Sequence, residues 1–144
     1  MRKYIVIVIG ILFLVYGGLR IGVSSLMIAQ VQGYVSFEGM QSAIDDVHKF
    51  VDEKQGQALM PFSAVGYLGY IGLMGSMLVI GAIGIFRKRP FGKQFIGGFL
   101  ALYALLFINF QVINPKIFHM LVCALLLGLV FWLEKDTQVR IEEA

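Results

Sequence analysis

Apolar residues fall in four long runs, over 4–29, 60–86, 95–111 and 117–133, with polar segments between them. A helix rises about 1.5 Å per residue, so roughly 20 apolar residues cross a hydrocarbon core about 30 Å thick. The first two runs are long enough to span with tilt. The last two sit at the short end, where flanking residues or local thinning must make up the difference. The pattern predicts an all-α fold: a single integral membrane domain over 1–144, a four-transmembrane-helix bundle with a short extracytoplasmic amphipathic helix between its first two helices.

That short helix is read from the segment 33–59. Phe37, Met40, Ile44, Val47 and Val51 recur at spacings of three and four, one apolar stripe of a helix. Ser42-Ala43-Ile44-Asp45 has the form of a capping box, which puts the helix start near Ser42. The other face carries Asp45, Asp46, Lys49, Asp52 and Glu53. The plain expectation is a helix lying apolar side down on the outer end of the bundle. The sharper one is a lid or a partner-docking surface. Its acidity argues against anionic lipid surfaces, which favour basic polar faces.

Basic residues set the orientation. Arg2 and Lys3 precede the first run, Arg87, Lys88, Arg89 and Lys93 crowd the loop 87–94, and Lys135 and Arg140 follow the fourth. The positive-inside rule then puts both termini in the cytoplasm. Asn114-Pro115 marks the outer turn between the last two spans. The Met-Arg-Lys start resembles a signal peptide, but the apolar run outlasts a normal h-region of about 7–15 residues, which favours an uncleaved first span.

Composition agrees. Hydrophobic residues make up 58% and charged residues 15%, against about 45–50% and 25% in soluble domains. The net charge of +3 lies beside apolar runs and does not point to nucleic acid. Cys123 is the single cysteine, which excludes an internal disulfide or a redox pair within the chain.

The 17 glycines fall mostly within the runs. Helix association in lipid needs close backbone approach, so Gly18 and Gly22, a small-xxx-small pair, and Gly66, Gly69, Gly72 and Gly75 are expected at packing seams. A three-residue spacing sweeps around the helix, so the second span should touch more than one neighbour.

Polar groups within spans are costly and mark candidate sites. Arg20 lies about 24 Å along the first helix from Tyr4, and Asn109 about 21 Å along the third from Phe95. His119 sits near the outer end of the fourth span, with Cys123 one turn deeper. In one reading Arg20 snorkels to the outer headgroups and the amides satisfy helix ends. In the other, Arg20, Asn109, Gln111 and His119 line an outward-opening pocket for a polar headgroup, an anion or a quinone carbonyl. No carboxylate lies deep in a span, which counts against proton-coupled transport by this chain alone. His119 and Cys123 do not make a metal site, and His48 lies too far out for a bis-histidine haem. No catalytic motif is present.

The stretch from Ile11 to Arg20, with Gly17-Gly18 before the basic residue, resembles the first span of DoxX-like small bacterial membrane proteins. The run from Gly72 to Arg87 is similar to their second span. The resemblance implies a four-helix protein of the bacterial inner membrane and, in some members, quinone-linked oxidation or a partner-subunit role in redox homeostasis. Three expectations follow. The first is a non-enzymatic accessory subunit or lipid or amphiphile binder, without cofactor, in contact with the bilayer and with a membrane protein partner or further copies of itself. The second is a quinone-linked oxidoreductase subunit, and the third a small oligomeric transporter. For the topology, a cysteine introduced as Phe91→Cys in a Cys123→Ser background should resist a membrane-impermeant thiol reagent in intact cells. Labelling from outside would reverse the orientation.

Overall fold

The structure, a computed structural model, describes residues 2–111 and 115–142, with side chains for 3–111 and 115–133. Among the described residues it is all-helical: α1 (Arg2–Val31), α2 (Glu38–Lys54), α3 (Ala64–Phe86), α4 (Phe91–Phe110) and α5 (Ile117–Glu142). In α1, α3 and α4 the helix is long and apolar enough to cross a membrane; the apolar part of α5, Ile117–Leu133, is shorter.

Two helix starts differ from expectation for local reasons. Helix α2 begins at Glu38, not Ser42. The side chain of Gln30 accepts from the Phe37 N–H (3.2 Å) and donates to the Phe37 carbonyl (3.1 Å). Phe37 is thereby held extended, and the chain turns helical directly after it, so the Ser42 box is not used. Helix α3 begins at Ala64, not at residue 60. Pro61 disfavours helical geometry at Met60. The Ser63 hydroxyl then caps the helix, accepting from the Gly66 N–H at 3.0 Å. Helix α4, by contrast, gains a turn, beginning just after Pro90. The turn before it reverses through Lys88 at φ 51°, with the Arg89 N–H donating to the Gly84 carbonyl. Asn114 lies outside the described residues.

Helix α3 is the central helix, packed on α1 along one side and α4 along the other. At the α1 crossing Gly17 and Gly75 meet backbone to backbone: a Cβ on either would come within 2.7 Å of the other's carbonyl oxygen. At the α4 crossing a Cβ on Gly84 or Gly92 would likewise run into the other's backbone, and one on Gly81 would meet the Gly92 carbonyl oxygen at 3.0 Å. Gly18 and Gly22 take no part in this crossing: within the chain both face open space, as does Gly69, and Gly18 is rotated about 100° from Gly17. Gly66 meets only its own cap, and Gly72 touches the Ser24 Cβ at an ordinary 3.6 Å.

The core is built from Phe13 of α1, Met74 and Leu78 of α3, Ile96 and Phe99 of α4 and Val130 of α5. Large apolar side chains remain outside, including Val8, Leu12, Val15 and Leu19 on α1 and Leu121, Leu125 and Trp132 on α5. Such a surface is far larger than soluble monomers carry and suits lipid. Helix α2 covers the end of the bundle away from the Arg87–Pro90 turn. Its stripe buries Ile44 against Met27 and Leu68, and Val51 beside Tyr67, Leu106 and Phe110. Phe37, the first stripe residue, precedes the helix in extended geometry and stays exposed.

The crossing makes a sharp comparison. Gly75→Ala should destabilise the detergent-solubilised protein by about 1–3 kcal/mol, since its new methyl meets backbone that cannot rotate away. Gly18→Ala, facing open space, should leave thermal melting unchanged or slightly raised.

Candidate functional site

Arg20 follows Gly17 by three residues on α1, so the glycine crossing controls where it sits. Its Cβ lies 2.9 Å from where a Cβ on Gly75 would be. Helical Cα–Cβ bonds lean toward the N-terminus, and the guanidinium turns back along α1 rather than snorkelling outward. One of its terminal nitrogens donates to the Tyr16 hydroxyl at 2.9 Å. The other points at the Met74 sulfur at 3.9 Å, a weak acceptor.

Three rings surround the cation. The guanidinium carbon lies 4.9 Å from the centroid of Tyr16, 4.8 Å from Tyr103 and 5.5 Å from Phe99. Tyr103, Phe99 and Met74 are buried, so the box is closed on its α3 and α4 sides. A charged side chain at the centre of a membrane helix costs about 2.5–3.5 kcal/mol on insertion scales. Cation–π contacts are worth about 0.5–2 kcal/mol each, so the box offsets much of that cost. It does not neutralise the charge: among the described residues Arg20 is paired with no carboxylate. A guanidinium has five N–H donors, and Tyr16 and Met74 take two of them.

His119 joins the site through Tyr16. Their rings stack at 6.4 Å and 13° across the α1–α5 interface, with His119 exposed and Cys123 buried one turn deeper. Among the described residues, no three His, Cys, Asp or Glu side chains converge as metal ligands would.

Asn109 and Gln111 do not meet Arg20. The Asn109 side chain accepts from the Met60 N–H at 2.7 Å and donates to the Met60 carbonyl at 3.1 Å. The Asn109 carbonyl accepts from the Leu59 N–H, and the Gln111 side chain donates to the Gln57 carbonyl at 3.1 Å. These amides bind the chain between α2 and α3 to the end of α4. Gln30 does the same for Phe37 at the other end of α2. Of the four residues expected to form a pocket, the fold brings Arg20 and His119 together and employs Asn109 and Gln111 as fasteners.

Sequence reasoning missed Tyr16, Met74, Phe99 and Tyr103. Tyr16 carried a signal, lying one helical turn from Arg20. The others come from helices whose facing sides the sequence does not specify. No family model, no curated protein and no solved structure matches the chain, so the site rests on its own geometry.

Asn109→Ala should cost about 1–3 kcal/mol by leaving the Met60 backbone pair unmade. Hydrogen exchange should quicken at the Met60 amide and leave the α3 interior unaffected. Unchanged exchange at Met60 would mean that the fastening contributes nothing.

Proposed function

We propose that this chain is a four-span protein of the bacterial inner membrane, with α5 as the fourth span, α2 on the outer face and both termini in the cytoplasm. It is a non-enzymatic accessory protein that binds the anionic head of an amphiphile at Arg20. The observation that carries this reading is the guanidinium itself, held among aromatic rings, with no carboxylate partner among the described residues and with N–H donors to spare. An anionic oxygen would supply both the missing charge and the missing acceptors. The surroundings suit an amphiphile. An open, mostly apolar groove of about 550 Å³ lies between Val23 and Met27 of α1 and Phe37, Met40 and Ala43 at the start of α2, with Glu38 on its wall, and it begins one turn along α1 from Arg20.

A quinone head is the second reading, in line with the DoxX-like resemblance. The flat walls of Phe99 and Tyr103 and the stacked Tyr16–His119 pair favour it. A neutral quinone carbonyl accepts a hydrogen bond but leaves the charge uncompensated, which is why the anionic head is preferred.

The test is native mass spectrometry of protein gently extracted from its own membrane, with lipid and quinone analysis of the same sample. Wild type should retain one anionic amphiphile per chain, and Arg20→Gln should bind it at least about tenfold more weakly. Stoichiometric quinone, lost in Arg20→Gln, would replace the first reading by the second. Bulk lipid alone, unaffected by Arg20→Gln, would overturn both.

A further inference from the structure

The turn between α3 and α4 carries three consecutive exposed cations, Arg87, Lys88 and Arg89. Their backbone N–H groups are all employed, donating in that order to the carbonyls of Ile83, Ile85 and Gly84. Only the side chains are left to recognise anything. Lys88 closes the helix at φ 51°. Glycine is the usual residue at that place, because it has no Cβ to clash with a left-handed backbone. A lysine there accepts strain and adds a charge, and strain held at one position is a pointer to use.

A fourth cation joins from α1. Helices α1 and α3 run antiparallel: Gly10 meets Phe86, Gly17 meets Gly75, and Ser24 meets Gly72. The first turn of α1, with exposed Lys3, therefore comes to the same end of the bundle as the Arg87–Arg89 turn. Among the described residues none of these four side chains is paired with a carboxylate. The five carboxylates with described side chains, Glu38, Asp45, Asp46, Asp52 and Glu53, all lie on α2 at the opposite end. Lys93 stands apart from the group, because its ammonium lies 4.8 Å from the centroid of the Phe131 ring and is already engaged. Next to the cations in sequence the surface is apolar, with Tyr4, Ile5 and Phe86 all exposed. Cations at the rim of an exposed apolar surface fit a phospholipid with an anionic head. A nucleic acid or a soluble acidic protein would leave the apolar surface uncovered.

We propose that Lys3, Arg87, Lys88 and Arg89 form a binding surface for the phosphodiester head of an anionic phospholipid, whose chains lie on the apolar surface beside them. In the topology proposed above, these are heads of the cytoplasmic leaflet. Each basic group near such a leaflet adds to the attraction, which falls off within a Debye length. The surface is separate from the Arg20 box and does not rest on the amphiphile reading.

The experiment titrates the full chain, in a neutral detergent, with phosphatidylglycerol or with phosphatidylcholine of the same chain length, and reads the rise in thermal melting. It is made on wild type and on Arg20→Gln, which takes the Arg20 box out of the signal. Arg20→Gln should still bind phosphatidylglycerol at least about tenfold more tightly than phosphatidylcholine. Adding Arg87→Gln, Lys88→Gly and Arg89→Gln together should abolish the preference, as should about 1 M salt, which screens charges beyond about 3 Å. Without lipid those three substitutions should not lower the melting temperature, since the side chains they remove make no bond among the described residues and glycine relieves the backbone at Lys88. Equal binding of the two lipids by Arg20→Gln would overturn the proposal and leave these charges to set orientation alone. If wild type nonetheless kept a preference, that preference would belong to the Arg20 box and support the amphiphile reading. A preference in Arg20→Gln that survives the three substitutions would also overturn the proposal.

Discussion

The backbone contact between Gly17 and Gly75 governs what the rest of this molecule can do. Without side chains at those positions α1 and α3 touch, and the next side chain along that face of α1 is Arg20. A wider separation would leave room for the arginine to lie along the helix surface. At this separation it is pressed against Met74 and directed among Tyr16, Phe99 and Tyr103. Close packing in lipid and the placement of a charge are thus one geometric fact. The second crossing, Gly84 on Gly92, brings α4 in closely enough to supply two of the three rings.

The charge is tolerated but not cancelled. Aromatic faces offer a guanidinium attraction from the side, while its N–H groups lie in the plane of the cation and still need acceptors. Tyr16 satisfies one of them well and Met74 another poorly. A buried ion pair would have closed the question of binding, because its carboxylate would occupy the same donors. Rings stabilise the cation without occupying those donors.

Much of the fold was legible in the run lengths and in the three-four stripe of α2, whose Ile44 and Val51 do reach the core. The seam was not, since a choice between Gly17 and Gly18 is a rotation of about 100° that spacing alone does not settle. The roles of Asn109 and Gln111 were hidden for a related reason. With residues 60–63 assigned to a helix, the Met60 backbone had no unmet need. Once Pro61 keeps Met60 out of α3, its N–H and carbonyl require a partner, and Asn109 provides one. Arg20 was conspicuous because charge is rare in such runs, but its box draws on α1, α3 and α4, and no local pattern assembles three helices.

The two amide fasteners at the ends of α2 differ in sequence distance. Gln30 lies seven residues before Phe37, whereas Asn109 lies 49 residues after Met60. During synthesis the chain emerges N-terminus first. The leading end of α2 can be pinned almost as soon as it is made, but the trailing end must wait until the whole of α3 and nearly all of α4 have been translated. In that interval only the leading end of the amphipathic helix has its amide fastener.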